Sequence, residues 1–304
     1  MRYSLFLLLL LLISCDSQEN KKGRFLLKGN DKLQEGDITG ALKFYDEALR
    51  IDNRFYDAYY NRGLANLKLL NYPKAIEDFS KTIEIHPEHH AAYQQRAMAY
   101  LDFGENYKAL ADAEQLLRIK PESSEAYFIQ GLTYTELKNY PEALAAFEKG
   151  VHMDPDNPEW YINRATVHYY LQQYDDSWDD LKKAKQLVPS HSYIYNMESL
   201  VYFEQNQYEE ALKAIEKAIS LDRDQPYYYN NRGLYKIFLG QLEDGLEDIN
   251  YSLKQDNKNL YALRNKGLYH YFKGDTQLAR KYLEDVLAKN PDIPLAAFYI
   301  EQMD

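Results

Sequence analysis

Few residues of this 304-residue chain have the types and spacing that chemistry requires. His86, His89 and His90 fall within five residues of one another beside Glu88, a donor set that transition metals accept. The run His86-Pro87-Glu88-His89-His90 nevertheless reads as a solvated turn, so no metal site is assigned to it. Ser190-His191-Ser192 places hydroxyls beside an imidazole, but no acid at a recognisable offset completes a relay that would activate them. No Gly-x-Gly occurs, which leaves no cradle for a phosphate or dinucleotide. Asn250-Tyr251-Ser252 fits a glycosylation sequon but sits inside a helical pattern. The single cysteine, Cys15, excludes a disulfide framework and a Cys-rich metal site. Lys and Arg number 36 against 47 Asp and Glu, a net charge of −11, and no long basic run exists to neutralise phosphates. The expectation is a chain that is not an enzyme, with no cofactor, no metal, no small-molecule substrate and no nucleic-acid partner.

The one reactive side chain with a distinctive address is the Cys15 thiol. It ends an apolar run, Leu5 to Ile13, that follows the basic residue Arg2. The run is too short for the roughly 20 residues of a membrane-spanning helix and has the layout of a secretory signal peptide. Leu12-Ile13-Ser14-Cys15 resembles the bacterial lipobox. That resemblance implies cleavage before Cys15, removal of residues 1–14, and acylation of the Cys15 sulfur, which would hold a soluble protein on a membrane surface. Residues 15–21 are polar and are expected to form a flexible tether. Asp16 after the cysteine resembles an inner-membrane retention signal in some bacteria, a rule that differs between groups.

The rest of the chain repeats itself every 34 residues from 22 to 293 without insertion or deletion. The repeats span 22–55, 56–89, 90–123, 124–157, 158–191, 192–225, 226–259 and 260–293, and positions below count from the first residue of each. Positions 8 and 20 are Gly, Ala or Ser in all sixteen instances, from Gly29 and Ala41 to Gly267 and Ala279. Position 4 carries a ring in seven repeats: Phe25, Tyr59, Tyr93, Tyr127, Tyr161, Tyr195 and Tyr229. Position 32 is Pro in five. Two helices of about 13 residues approach closely only where small residues meet, a ring at position 4 fills the gap to the neighbour, and Pro stops the second helix. Ser177 and Gly245 at position 20, with Arg223 and Asn257 at position 32, depart from the pattern and predict weaker packing in repeats 5 to 7.

The pattern, with Tyr60-Asn61-Arg62-Gly63-Leu64-Ala65 followed by Ala75-Ile76-Glu77-Asp78-Phe79, is similar to the tetratricopeptide repeat over residues 22–293. The resemblance implies an all-α fold: a right-handed α-α superhelix of eight helix-turn-helix repeats, stabilised mainly between neighbours. Residues 294–304 restart a first-helix pattern and are expected to form a capping helix over the last repeat.

Position 7 is Arg in four repeats (Arg62, Arg96, Arg164, Arg232), and position 23 is Asp in the same four (Asp78, Asp112, Asp180, Asp248). Random placement would make the two sets coincide about once in 70 trials, so the pairs are expected to be bidentate ion pairs within each repeat. Structural pairing removes most of an apparent basic ligand site. The family resemblance further implies an inner groove lined by first-helix positions 2, 5, 6, 9, 12 and 13. The groove candidates are Tyr60, Asn61, Phe128, Asn163, Tyr169, Tyr170, Tyr193, Asn196, Tyr227, Asn230, Asn231, Phe238, Tyr261, Asn265, Tyr271 and Phe272. Asn amides bond both groups of an extended backbone, and aromatic rings dominate interface energetics. Of the 30 Tyr, fourteen fall on packing positions 4, 11, 17 or 24, which leaves the groove as the second reason for the excess. A chaperone-binding subclass uses a clamp of Lys, Asn and Arg; Asn30 and Asn61 match two of its positions, but Leu26, Ala91 and Gln95 stand where its bases belong.

The sequence thus predicts a lipid-anchored scaffold of a bacterial cell envelope, facing the periplasm or the cell surface, with a protein or peptide partner in the groove. An accessory subunit that recruits an envelope enzyme or secretion machine, and a glycan-binding lipoprotein, are the alternatives.

Overall fold

The computed structural model describes residues 18–303, so residues 1–14, expected to be a signal segment, and Cys15 and Asp304 lie outside the described residues. Seventeen helices and no strand occur among the described residues. The chain forms two compact halves, one ending at Met153 and the other beginning at Asp154. The N-terminal half holds four helical hairpins: α1 (Gln18–Gln34) with α2 (Ile38–Ile51), α3 (Tyr56–Lys68) with α4 (Tyr72–Ile85), α5 (His90–Asp102) with α6 (Asn106–Ile119), and α7 (Ser124–Glu136) with α8 (Tyr140–Met153). The C-terminal half holds α9 (Pro158–Tyr170) with α10 (Tyr174–Leu187), α11 (Ser192–Glu204) with α12 (Tyr208–Leu221), α13 (Pro226–Phe238) with α14 (Leu242–Gln255), and α15 (Leu260–Phe272) with α16 (Thr276–Leu287), followed by the short α17 (Ala296–Glu301). Within each half, every first helix packs on its own second helix, and that second helix packs on the next first helix.

Helix α1 starts at Gln18, so residues 18–21, expected in a flexible tether, are helical. Lys22 explains why: its ammonium bonds Asp52 at 2.7 Å and lies over the Phe55 ring at 4.7 Å, which ties the start of α1 to the end of the first hairpin.

The hairpins close where positions 8 and 20 cross. In the N-terminal half, the rings of Tyr45, Phe79 and Phe147 lie where side chains on Gly29, Gly63 and Gly131 would be. A Cβ on Gly63 would stand 2.6 Å from the Phe79 ring. Where position 8 is instead Ala97, the opposite residue is only Ala113, and the volumes stay matched. In the C-terminal half, the expectation of weak spots at Ser177 and Gly245 needs correction. The Ser177 hydroxyl donates to the Ala165 carbonyl at 3.0 Å and joins the two helices. Gly245 faces Gly233 so closely that a Cβ on either would stand 2.7 Å from the other's carbonyl oxygen. Each departure supplies a closer or better-bonded crossing rather than a defect.

Every hairpin turns at position 15 with positive φ: Gly36, Leu70, Gly104, Lys138, Gln172, Asn206, Gly240 and Gly274. The next amide bonds back into the helix, as Asn71 does to the Asn66 carbonyl at 2.9 Å, which satisfies a carbonyl the ending helix would leave bare. Four repeats use Gly for this left-handed turn; the other four hold a side chain there at a cost of about 1 kcal/mol each.

All four Arg–Asp pairs are bidentate. Arg96 donates to Asp112 at 2.8 and 2.7 Å, and Arg164 to Asp180 and Arg232 to Asp248 at 2.8 and 2.6 Å. Arg62 does the same to Asp78. The third nitrogen reaches position 25 of the preceding repeat: Arg62 to Asp46 at 2.6 Å and Arg96 to the Ser80 hydroxyl at 2.9 Å. In repeats 2 and 3 position 7 is therefore a seam residue that joins three helices. Each arginine also lies over its position-4 tyrosine, at 5.2 to 5.7 Å. Repeats without the pair use the same geometry differently. Lys266 reaches Asn250 at 3.3 Å, whereas Glu198 takes Lys185 of the preceding repeat at 2.8 Å. The position-4 hydroxyls of Tyr161 and Tyr195 donate to the carbonyls of Pro155 and Pro189, at 3.0 and 2.8 Å.

Two outcomes follow from this packing. Gly63→Ala should lower stability by about 1–3 kcal/mol, because the Phe79 ring has nowhere to retreat; chemical denaturation measures it. Burial pushes the Asp112 carboxyl up while the Arg96 hydrogen bonds pull it back. Arg96→Ala leaves that carboxyl buried and unpaired and should cost about 3–5 kcal/mol. A loss below 1 kcal/mol in the same assay would contradict the seam role.

Candidate functional site

The groove candidates divide into those the fold uses and those it leaves available. In the N-terminal half, Tyr60 is half-buried between Phe79 and His89, with ring centroids at 5.8 and 4.8 Å. Asn61 donates to the Asp57 carbonyl in its own helix at 2.7 Å, and Phe128 packs on Phe147 at 6.3 Å. His86 and His89 pack against each other and against Tyr56. His89 caps α5 by accepting the Ala92 amide on Nδ1 at 3.1 Å; burial lowers its pKa, which favours the neutral ring that the cap requires. His86 and His89 are thus packing and capping residues of the turn. No cluster of three His, Cys, Asp or Glu able to hold a metal ion occurs among the described residues.

In the C-terminal half, three asparagines expected to meet a ligand are interior. Asn196, Asn230 and Asn265 are buried. They bond from one first helix to the next: Asn231 donates to the Asn196 side chain at 3.0 Å, and Asn265 donates to the Asn230 side chain at 2.7 Å. Each has left water for an equivalent amide partner, so the polar row joins helices instead of reading a peptide backbone. Asn163 donates at 2.7 Å to the Glu159 carbonyl one turn earlier.

The rings fare differently. Tyr170, Tyr227, Tyr261 and Phe272 are 50, 37, 50 and 40% exposed. Tyr170 and Tyr227 each rest on one neighbouring ring, Tyr261 lies over the Arg264 guanidinium, and Phe272 joins a packed aromatic cluster. Phe238 is wedged among Phe203, Tyr208, Phe272 and Tyr299, with centroids between 5.0 and 6.3 Å. Tyr271 packs on Tyr299 at 4.8 Å, and Tyr227 on Tyr228 at 4.5 Å. Tyr193 is half-buried, and burial raises its pKa. Tyr169, half-buried, donates to Glu204 at 3.2 Å; burial and then that carboxylate raise its pKa. Exposed rings held rigidly from below are the arrangement that gives contact area at low entropic cost.

Two contributors escaped the sequence reading. Tyr299 of α17 joins that cluster, and Phe298 beside it is 54% exposed, so the closing helix adds to the face as well as covering the last repeat. Arg264 is 5% exposed and sits beneath the Tyr261 ring at 5.3 Å. The recurrence of Asn at positions 5 and 6 of successive repeats was the available signal for the interior ladder. No helix among the described residues is long and apolar enough to cross a membrane.

Comparison with known proteins agrees with this architecture. Residues 56–89, 95–158 and 261–292 match models described as the tetratricopeptide repeat, and residues 29–69 and 200–237 match one described as the TPR repeat. Together these matches cover well over half of the chain. A stretch of 69 residues is 39% identical to dynein axonemal assembly factor 4 of Pongo pygmaeus; it spans 22% of this chain and only 16% of that protein. Among solved structures, a tetratricopeptide repeat protein from Parabacteroides merdae is similar in fold, with a TM-score of 0.72 at 22% identity over 82% of this chain and 98% of that one. The APC/C hetero-tetramer Cut9-Hcn1 is similar with a TM-score of 0.70 at 15% identity, over 88% of this chain and 52% of that one. With the hairpin repeats, the small-residue crossings and these matches in agreement, the chain belongs to the tetratricopeptide repeat family.

Proposed function

We propose that this protein-interaction scaffold is held on a bacterial envelope membrane by acyl chains on Cys15, facing the periplasm or the cell surface, and binds an extended peptide or loop of a partner protein on the first-helix face of its C-terminal half. The observation that carries the reading is the set of exposed rings, Tyr170, Tyr227, Tyr261 and Phe272, each backed by a packed ring or, for Tyr261, by the buried Arg264. Interfaces concentrate their energy in such aromatic anchors, and rigid support from below reduces the ordering that binding requires. The asparagine ladder beneath contributes stiffness. The anchor would add local concentration, because partners confined near one surface meet more often.

Tyr227→Ala combined with Tyr261→Ala removes two half-exposed rings without opening the core. Capture of envelope proteins by the immobilised double variant should fall at least about tenfold relative to wild type, with helical content unchanged by circular dichroism. Undiminished capture by the folded variant would sink the groove. Cys15→Ala should move the protein from the membrane pellet to the soluble fraction after a high-salt wash; a variant that stays in the pellet would sink the lipid anchor.

A further inference from the structure

Position 13 of the C-terminal half carries a ring in three repeats, Tyr170, Phe238 and Phe272, and a carboxylate in the fourth, Glu204. Glu204 is exposed and is the last residue of α11. A negative charge there meets the negative end of the helix dipole, so the helix gains nothing from it. The Tyr169 hydroxyl donates to its carboxylate at 3.2 Å, the one hydrogen bond it receives among the described residues. No Lys, Arg or His among the described residues lies within ion-pair distance of it. Arg264 acts on it only from farther away, with its donors committed to Asn265 and the Pro294 carbonyl. A carboxylate accepts about four hydrogen bonds, so most of this one's capacity is unused.

Three tyrosines frame the carboxylate. Tyr169 packs on Tyr174 at 6.2 Å. Tyr208 is held between Phe203 and Phe238 at 5.5 and 5.0 Å, and its hydroxyl donates to the Asn206 side chain at 2.7 Å. Burial and then the Glu204 charge raise the pKa of all three phenols, so each ring stays neutral within the field of the carboxylate. The charges of the adjoining helix starts have one sign: Asp175 and Asp176 follow Tyr174 in α10, and Glu209 follows Tyr208 in α12. None of these three acids has an ion pair among the described residues. Neutral ring faces attract a cation, and a carboxylate takes its N–H groups in charge-assisted hydrogen bonds. We propose that Glu204, with the rings of Tyr169, Tyr174 and Tyr208, is a subsite for a cationic side chain, the lysine or arginine of a bound partner segment. The subsite rests on the reading of this first-helix face as a partner surface and gives that partner a charge.

The test labels the full-length protein with ¹³C-tyrosine and follows the ring signals of Tyr169 and Tyr208, assigned by their loss in Tyr169→Phe and Tyr208→Phe. N-acetyl-lysine amide supplies an ammonium, N-acetylarginine amide a guanidinium and N-acetylnorleucine amide a neutral control, all at constant ionic strength. The expected result is a saturable shift with at least one cation, at a midpoint at least about tenfold below that of the neutral amide. Glu204→Gln, an exposed change of equal size, should raise that midpoint at least about tenfold. The tighter of the two cations names the side chain. No saturable shift with either cation, or an unchanged midpoint in Glu204→Gln, overturns the proposal. These single-residue probes need no contact with Tyr227 or Tyr261. A silent titration beside partner capture that depends on those two rings would therefore remove the cation subsite and leave the groove reading in place.

Discussion

The close crossing of two helices at positions 8 and 20 is the constraint on which everything else in this protein depends. With Gly, Ala or Ser at both positions, the backbones approach until the position-24 side chain fills the space a Cβ would have taken, as Phe79 does over Gly63. That approach sets the distance at which Arg96 reaches Asp112 and at which Ser177 reaches the Ala165 carbonyl. Lengthening the crossing by one methyl would strain the core and stretch the ion pair together. Packing and electrostatics are therefore coupled in each repeat, and neither can be adjusted alone.

Once the second helices are spaced by these crossings, the first helices fall side by side and their polar residues must find partners. In the C-terminal half they do so through the ladder from Asn196 to Asn231 and from Asn230 to Asn265. The consequence for function is a separation of roles. Amides turn inward and stiffen the face, while rings at positions 2 and 13 remain to meet a partner. A face built in this way presents hydroxyl-edged apolar area with little freedom to rearrange.

The framework was legible in the sequence because it depends on residue size at fixed intervals, and size is what a sequence states most directly. The sixteen small residues, the position-4 rings and the joint appearance of Arg and Asp all act within one repeat or between neighbours. Less legible was anything decided by direction. Asn196, Asn230 and Asn265 have the same composition whether they face a ligand or one another, and only the 35-residue offset of donor and acceptor separates the two. The left-handed turn at position 15 is announced by Gly36, Gly104, Gly240 and Gly274, yet Leu70, Lys138 and Gln172 adopt it without any such mark. The start of α1 at Gln18 depends on the Lys22–Asp52 pair, a contact across 30 residues that local polarity hides.

The seam at position 7 has a consequence for how such an array can change over generations. All eight repeats have the same length, so recombination between any two would keep the helices in frame. The seam does not allow the same freedom. Arg62 requires the acid of Asp46 behind it, Arg96 requires the hydroxyl of Ser80, and Glu198 requires the amine of Lys185. Repeats 2, 3 and 6 thus have a distinct front and back, like words that fit only certain predecessors. An internal duplication or deletion would preserve the shape of every hairpin and still misspell the junction, and the order of the repeats is written in those junctions.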